Sequence, residues 1–254
     1  MTKEERHQLI LDILMKQESV QVSNLSSLLE VSAVTIRKDL TELERENKLY
    51  RSHGKAILIN PYINNRSVNE KEKLATEEKN SIGRTAAAMI TKDDSIIIAS
   101  GTTVHALARN IRPIHKLTVI SASLQVSEIL AANEAIDIIQ LGGTLRHSSS
   151  SVVGKYAEDI LSNFCCSKLF LGVDGIDLEF GITTTDVRET YLNKAMMRIA
   201  QKSIVLADSS KFRRRGFSKI ANIEDIDIII TDSGIPSSIA HQIEELGIEL
   251  IIAE

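Results

Sequence analysis

The sequence predicts an α/β protein with two domains, a small helical one that ends in a β-hairpin and a larger one with a mostly parallel sheet. Three observations predict this. Residues 1–59 contain three amphipathic helical patterns followed by a glycine turn between two extended runs. Residues 60–73 are polar and lack an apolar period, which is typical of a linker. Residues 74–254 alternate helical patterns with short apolar runs, which is typical of an α/β domain.

Composition narrows the class of protein. The chain has 254 residues, 43% of them hydrophobic and 25% charged, and its net charge of −4 means that a nucleic-acid partner would need a local excess of cations. The two cysteines, Cys165 and Cys166, are adjacent, so we expect no disulfide framework and interpret both as small apolar side chains. The start carries no apolar signal region and no run of about 18 apolar residues follows, so we expect a cytoplasmic protein without a membrane segment.

The first two helices have short apolar faces. Helix one covers about residues 3–17, and its apolar positions are Leu9, Ile10, Ile13 and Leu14. The stretch "SVQVSNLSSLLEVS" holds the second helix, for which Ser23 is the candidate N-cap. The buried face predicted for this second helix consists of Leu25, Leu28 and Leu29.

The third helix is predicted to begin after Ser32, which caps it, and to run to about Lys48. Its buried stripe is Ile36, Leu40 and Leu43. Four side chains point away from that stripe, with Thr35 and Arg37 on the flanks: Val34, Lys38, Thr41 and Arg45. A four-residue turn joins helices two and three into a helix-turn-helix, and "LYRSHGKAILI" follows as a hairpin with Gly54 at its turn.

A helix-turn-helix with a hairpin predicts contacts with double-stranded DNA. Side chains near the start of the second helix of such a pair reach base edges in the major groove, where Arg can bind guanine and a Thr methyl can contact thymine. The free N–H groups of the first turn can hold a phosphate, and the hairpin would lie as a wing on the adjacent backbone or minor groove. The predicted DNA contacts are Ser32, Thr35, Arg37, Lys38, Arg51, His53 and Lys55.

Local charge agrees with this prediction. Residues 32–59 hold six Lys and Arg against four Asp and Glu, although the whole chain is acidic. The alternative is an ordinary amphipathic helix with a solvated charged face. The helix pair, the cap, the hairpin and the linker together favour DNA binding over that alternative.

The larger domain carries small and hydroxyl residues after its predicted strands. These runs are Ser100-Gly101-Thr102-Thr103, Ser121-Ala122-Ser123 and Gly142-Gly143. A helix that starts with such residues can hold a phosphate, because its free N–H groups and its dipole favour an anion. An ordinary strand-to-helix turn is the alternative for each run taken alone. Several such turns at the carboxyl ends of parallel strands could line one crevice.

Charged residues follow two later strands. Asp174, Asp177, Glu189 and Lys194 lie in "GVDGIDLEFGITTTDVRETYLNKAM", and "LADSSKF" contains Asp208, Ser209, Ser210 and Lys211. Acidic side chains there could bind sugar hydroxyls and a lysine could bind an anion, whereas solvated loops and helix caps are the alternatives. The six His show no metal-ligand spacing, so we expect neither a metal nor a cofactor.

The segment "VSAVTIRKDLTELERENKLYRSHGKA" resembles the signature of the DeoR family of bacterial transcription regulators. That signature reads V-S-x-x-T-I-R-R-D-L and then L-x-R-x-H-G-G-A. Lys38 replaces its second Arg and Lys55 its second Gly. Lys38 keeps the charge but loses the forked geometry of a guanidinium, which leaves the operator sequence open.

The larger domain resembles the same family. The resemblance implies a fold like that of ribose-5-phosphate isomerase and the CoA transferases, and a phosphorylated sugar or a related metabolite as effector. The family's G-T-T, L-G-G and D-S-S-K-F patterns are present, whereas Ser121-Ala122-Ser123 replaces T-N-S. The effector contacts expected from the residues and the resemblance are Gly101, Thr102, Thr103, Ser121, Ser123, Gly142, Gly143, Asp174, Glu189, Lys194, Asp208 and Lys211.

Two functions are compatible with these patterns. One is a DNA-binding regulator, expected to repress a sugar-catabolic operon under control of a phosphorylated sugar and to act as a homo-oligomer, a dimer or a tetramer. The alternative is a sugar-phosphate isomerase-like enzyme with an added N-terminal module, in which Asp174, Asp177 and Lys194 supply base and anchor. We favour the regulator, without catalysis, because an isomerase needs no recognition helix and the lysine after Arg188-Glu189 is displaced to Lys194.

Overall fold

The computed structural model describes residues 1–17, 19–45, 48–52, 54–58, 67–113 and 115–254. The chain forms two compact units, Met1–Asn64 and Asn65–Glu254. The elements of the first unit are α1 (Lys3–Gln17), β1 (Ser19–Gln21), α2 (Val22–Leu28), α3 (Ala33–Arg45), β2 (Leu49–Ser52) and β3 (Lys55–Leu58). The three strands form an antiparallel sheet in the order β1-β3-β2. The predicted winged helix-turn-helix is confirmed, and the wing gains β1 as an additional strand.

The first unit has its own small core, and two details of its helices differ from the prediction. Ser32 caps α3, because its hydroxyl oxygen accepts the backbone N–H of Thr35 at 3.1 Å. Ser23, however, lies inside α2 and caps nothing. Leu28 and Leu9 are 60% and 43% exposed, because the packed faces of α2 and α1 are narrower than their apolar patterns. The buried core is Ile10, Leu14, Val20, Leu25, Ile36, Leu40, Leu43, Leu49 and Ala56.

The second unit is built around a parallel sheet. In chain order its elements are α4 (Val68–Glu72), α5 (Thr76–Ala88), β4 (Ser95–Ile98), α6 (Thr102–Asn110), β5 (Leu117–Ser121), α7 (Leu124–Leu130), β6 (Ile136–Gln140), β7 (Thr144–Arg146), β8 (Ser151–Val153), α8 (Lys155–Leu161), β9 (Cys166–Gly172), β10 (Gly175–Asp177), β11 (Gly181–Thr184), α9 (Val187–Ile199), β12 (Ala200–Leu206), β13 (Ser218–Ala221), β14 (Ile228–Asp232), α10 (Ser237–Glu245) and β15 (Glu249–Ala253). Short 3₁₀ turns cover Ser209–Lys211 and Ile223–Asp225.

The main sheet has seven strands in the order β15-β14-β12-β9-β4-β5-β6, and every pairing within it is parallel. These strands correspond to seven short apolar runs of the sequence, namely "SIIIAS", "LTVISA", "IDIIQLGG", "LFLGVDG", "SIVLAD", "IDIIITD" and "IELIIA". Alternate side chains point to opposite faces. Ile97 contributes to a core shared with α8, α9 and α10, whereas Ile96 and Ile98 contribute to one shared with α5, α6 and α7. Helices on both faces explain why the strands are apolar throughout.

Smaller sheets and one helix lie outside the predicted pattern. Strands β10, β11 and β13 form an antiparallel sheet, and β7 and β8 form a hairpin. Helix α4 lies within the predicted linker of residues 60–73. Ser67 caps α4 in a capping box with Glu70, and Val68 is buried, so this end of the linker belongs to the second unit. Residues 60–66 of the predicted linker lie outside the described residues.

The order of the main sheet creates a crevice between β4 and β9. From these neighbours the chain proceeds outward in both directions, through β5 and β6 to one edge and through β12, β14 and β15 to the other. The connections that follow β4 and β9 therefore diverge. In open parallel sheets, ligands bind at this topological switch point, beyond the carboxyl ends of the strands.

Candidate functional sites

The first candidate site is the exposed face of α3. Val34 is 73% exposed, and Arg37, Lys38 and Arg45 are also exposed along the same helix. Within the part of the chain that the structure describes, these three cations form no ion pair. The face therefore presents one apolar side chain to solvent, together with three positive charges that have no ion-pair partner among the described residues.

Acidic residues of α3 do not neutralise this face, because each of three carboxylates pairs with another element. The ion pairs are Lys3–Glu42 at 2.5 Å, Arg6–Asp39 at 2.5 Å and Arg51–Glu44 at 2.8 Å. Two of them join α3 to α1, and the third joins α3 to the wing. These ion pairs separate the charges of α3. Its carboxylates face α1 and the wing, whereas its unpaired cations among the described residues face solvent.

Asp39 anchors α3 and was not identified from the sequence. Its side chain is buried, and its carboxylate accepts hydrogen bonds from Arg6 Nε at 2.5 Å and Nη2 at 2.8 Å, with His7 Nε2 3.3 Å away. Burial alone would raise the pKa of Asp39, but the Arg6 guanidinium outweighs burial and lowers it. The one available signal is its spacing, because Asp39 lies within the buried stripe of Ile36 and Leu40.

The predicted DNA contacts fall into three groups. Arg37, Lys38 and Lys55 are exposed and form no ion pair among the described residues. Ser32 and Thr35 bond to each other, with their hydroxyl oxygens 2.9 Å apart, which leaves the Thr35 methyl available for contact. Arg51 donates through its backbone N–H and Nε to Glu44 at 2.9 and 2.8 Å. The remaining predicted contact, His53, lies outside the described residues.

The second candidate site is a cleft at the switch point of the main sheet. It follows β4 at Ser100 and Gly101 and follows β9 at Val173 and Asp174. Its other lining residues come from α4, α6, α9, the segment around the β7–β8 turn, β9, β11 and the Ser209–Lys211 turn: Val68, Lys71, Thr102, Thr103, Arg146, Ser148, Ser149, Gly172, Thr184, Glu189, Asn193 and Lys211.

One part of the cleft has unpaired donors. Gly101 precedes α6 with φ +126°, a backbone conformation that favours glycine. The first-turn N–H groups of a helix have no intrahelical acceptor. Thr102 and Thr103 are 7% and 6% exposed, and their hydroxyls form no hydrogen bond to any described residue. Lys211 likewise has no partner among these residues, and burial lowers the pKa of its ammonium against the attraction of Asp208. This arrangement suits a bound anion.

Elsewhere along the cleft, ion pairs and hydrogen bonds link the charged side chains in a continuous series. Lys71 Nζ donates to Asp174 at 2.6 Å, and the Thr184 hydroxyl lies 3.1 Å from Asp174 and 3.2 Å from Glu189. Arg146 donates to Glu189 at 2.9 Å and to Asp186 outside the lining at 3.0 Å. Burial would raise the pKa of Asp174, but Lys71 and Lys211 hold it well below its usual range.

Six predicted effector contacts line the cleft together: Gly101, Thr102, Thr103, Asp174, Glu189 and Lys211. Six others do not: Ser121, Ser123, Gly142, Gly143, Lys194 and Asp208. Ser121 and Ser123 are fully buried and serve local structure, since Ser121 donates to the Ile98 carbonyl at 2.8 Å and Ser123 caps α7. Asp208 caps the Ser209–Lys211 turn and so positions Lys211.

Among the lining residues that were not predicted from the sequence, three have charged or amide side chains. Lys71 lay in the predicted linker, Arg146 followed the Gly142-Gly143 run, and Asn193 precedes Lys194 in the α9 pattern. Each is an ordinary helix or loop residue by type, and no local signal marks it. Only the fold brings their side chains to the carboxyl ends of β4 and β9.

A larger cavity, of about 540 Å³, lies elsewhere on the second unit. Asp177 lines it, together with Glu179, Arg213 and Glu245, so its charged side chains are mostly acidic and do not suit an anion. Among the helices that the structure describes, none combines the length and the apolar character that a membrane crossing requires. Nor does the described part of the chain bring together three side chains that could hold a metal ion.

Family models match both units. Residues 6–62 match the DeoR-like helix-turn-helix domain, and residues 74–233 match the DeoR C terminal sensor domain. A protein of Escherichia coli O157:H7 whose name assigns it to repression of the aga operon is 38% identical, over 98% of this chain and 93% of that protein. The HTH-type transcriptional repressor GlcR of Bacillus subtilis (strain 168) is 34% identical, over 100% of this chain and 98% of that protein.

Solved structures give weaker likenesses. The sorbitol operon regulator SorC from Klebsiella pneumoniae has a TM-score of 0.43 and 11% identity, over 96% of this chain and 99% of that one. Ribose 5 phosphate isomerase A from Neisseria gonorrhoeae has a TM-score of 0.38 and 16% identity, over 54% of this chain and 53% of that one.

Proposed function

Because this chain belongs to the DeoR family of DNA-binding transcriptional regulators, we propose that it represses a sugar-catabolic operon until a phosphorylated sugar binds the cleft. The names of its relatives support repression. One observation supports a phosphorylated effector above all. The Lys211 ammonium, which pairs with no described residue, lies in a cleft that also contains the start of α6.

The phosphate would sit at the start of α6. N–H groups of the first turn and the Thr102 and Thr103 hydroxyls supply donors, and the helix dipole favours the negative charge. Lys211 adds a point charge and Lys71 lies in the same lining. Lys211 is half-buried and bonds to no described carboxylate, and burial disfavours its charged form, so an anionic ligand in the cleft would stabilise its ammonium.

We propose binding without turnover. An isomerase needs a general base whose pKa lies near the working pH. The pKa of Asp174 is held well below its usual range, and Glu189 already accepts hydrogen bonds from Arg146 and Thr184. Asp177 bonds Arg215 at 2.8 Å and lines the other cavity. The carboxylates that favoured the enzyme alternative are therefore poorly suited to proton abstraction.

Control of DNA binding would pass through α4. The cavity of the cleft is about 50 Å³, far below the roughly 300–1,000 Å³ of typical ligand sites, so a wall has to move when a sugar phosphate enters. Helix α4 is the wall that we expect to move. Val68 is its one buried apolar side chain, and polar bonds such as Lys71–Asp174 supply other contacts. A phosphate would compete with Asp174 for Lys71, shift α4 and so shift the chain segment that leads to the first unit.

DNA binding would use a homo-oligomer. A symmetric operator presents two half-sites, so a dimer or tetramer would place one α3 in the major groove of each half-site. A ligand changes this binding only through different affinities for the DNA-competent and incompetent arrangements. A bacterial chromosome is the binding partner in this scheme, which places the protein in the cytoplasm.

Fluorescence anisotropy on the DNA upstream of its own gene tests the proposal. Hexose and pentose phosphates should release the protein, whereas the free sugars should not. Lys211→Ala should need at least about tenfold more effector, as expected when one charge-assisted bond is lost. Lys202→Ala, the same change at an exposed position outside the cleft, should behave like wild type. Release by free sugars, unaffected by Lys211→Ala, would remove the phosphate from this scheme.

A further inference from the structure

Glu189 and Asn193 form a pair on α9 that faces the cleft. They are one helical turn apart, both line the cleft, and they are 8% and 6% exposed. Residues four apart on a helix are neighbours on one face, with Cβ atoms about 5–6 Å apart. A carboxylate and an amide therefore lie side by side in a largely buried wall.

The two side chains differ in their hydrogen bonds. Glu189 is fixed, because its Oε1 accepts from Arg146 at 2.9 Å and its Oε2 lies 3.2 Å from the Thr184 hydroxyl. The Asn193 amide forms no hydrogen bond with any residue that the structure describes. The Asn193 amide keeps access to the cleft that it lines, and buried amides in folded proteins nearly always have partners, so a ligand group can supply the missing one. The position of Asn193 thus indicates a group that arrives with a ligand.

We infer that Asn193, oriented beside Glu189, recognises the sugar portion of the effector; this inference rests on the proposed function. An amide offers donors and an acceptor, whereas the ionised carboxylate only accepts. Two neighbouring hydroxyl groups fit this pair, one bonded to the amide and one donating to the carboxylate. The ligand class is therefore a phosphate ester with adjacent free hydroxyls, and Asn193 is a specificity-determining residue.

Calorimetric titration of the full-length protein tests this inference. The probes are inorganic phosphate, glucose 6-phosphate, galactose 6-phosphate, ribose 5-phosphate and 2-deoxyglucose 6-phosphate. The Asn193→Leu variant keeps a similar side-chain size but has no polar atoms. We expect this variant to bind the tightest sugar phosphate about 10- to 100-fold more weakly than wild type does. Its affinity for inorganic phosphate should stay within about twofold of the wild-type value. The matched control is Asn163→Leu, the same change at an exposed position outside the cleft lining.

Thermal unfolding supplies a second measurement that also checks folding. Without ligand, Asn193→Leu should unfold at or above the wild-type temperature, because it removes no hydrogen bond to any described residue and adds apolar surface to a largely buried wall. The rise in unfolding temperature that the sugar phosphate causes should nevertheless be smaller for the variant than for wild type. A structural role for the amide would lower the unfolding temperature of the free variant, which would overturn the inference.

The possible outcomes separate the two proposals. Equal weakening of phosphate and sugar phosphate, or no weakening of either, would overturn the role of Asn193 while the phosphate anchor stands. The role of Asn193 would also be overturned if wild-type protein bound inorganic phosphate as tightly as every sugar phosphate. Failure of wild type to bind any of the five probes would contradict the proposed function itself, and the role of Asn193 with it.

Discussion

The ion pair between Arg6 and Asp39 gives the first unit a testable weak point. Asp39→Asn removes the charge while preserving shape, and it leaves the Arg6 guanidinium, whose side chain is 13% exposed, without its counter-ion. Breaking a buried pair by removing one partner typically costs 3–5 kcal/mol. Since the amide oxygen of the introduced asparagine still accepts one hydrogen bond from Arg6, we expect a cost at the lower end of this range, about 3 kcal/mol. The described part of this small unit has nine buried hydrophobic residues in its core, so a loss of a few kcal/mol is a large fraction of its stability.

Hydrogen–deuterium exchange on the full chain measures this loss within the first unit. A cost of about 3 kcal/mol should speed exchange of the most protected α3 amides by roughly 150-fold, and DNA affinity should fall. Peptides from β4 and β9 in the second unit should exchange as in wild type. Glu42→Gln is the matched control, because its pair with Lys3 is exposed to water and should change exchange little.

Acidification should reproduce the substitution. The pKa of Asp39 is lower in the folded unit than in the unfolded chain, so its contribution is complete above a pH of about 4 and is lost as the pH falls through the folded value. The Asp39→Asn variant should lack this part of the acid sensitivity. Unchanged α3 exchange in Asp39→Asn, or equal acceleration in both units, would refute the reasoning.

Three further changes test the two sites. Arg37→Ala should weaken binding to the specific duplex by about 1–3 kcal/mol, whereas Lys55→Ala should weaken specific and scrambled duplexes alike and reduce the salt slope by about one. Anisotropy at two salt concentrations distinguishes them, and wild-type specific binding by Arg37→Ala would rule out α3 as the reading helix. Burial lowers the pKa of Lys211, so sugar-phosphate affinity should begin to fall at a lower pH than the titration of an ordinary lysine would dictate, and Lys211→Arg should abolish that fall in calorimetric titrations. Lys71→Met should still bind sugar phosphate but release DNA poorly, while Lys73→Met, an exposed control, should release normally; normal release by Lys71→Met would exclude the α4 route.

The main sheet could be predicted because its strands are buried on both faces. Ile96, Ile97 and Ile98 are all fully buried, so β4 stands out as a continuous apolar run. The antiparallel strands β10, β11 and β13 were missed because they are short and glycine-rich or polar, as in Gly181–Thr184. Their pairing depends on partners far away in the sequence, such as Thr183 with Lys219.

The candidate cleft could be predicted only in part. Gly101, Thr102 and Asp174 follow strands of a parallel sheet, and the carboxyl ends of such strands share one edge. Gly142 and Ser121 satisfy the same rule but do not line the cleft, since only the connections on either side of the β4–β9 switch point diverge. Which strands flank that point depends on the strand order, and the sequence alone does not define this order.

Cations without an ion pair among the described residues explain how an acidic chain would bind anions at the two candidate sites. In α3, Asp39, Glu42 and Glu44 each pair with a cation from another element, and Arg37 and Lys38 on the exposed face form no ion pair with a described residue. In the cleft, the carboxylates of Asp174 and Glu189 are paired with Lys71 and Arg146, and Lys211 forms no ion pair or hydrogen bond with a described residue. Net charge adds these groups together, whereas binding depends on the cations that internal carboxylates have not already paired. A net charge of −4 therefore does not argue against either anionic partner.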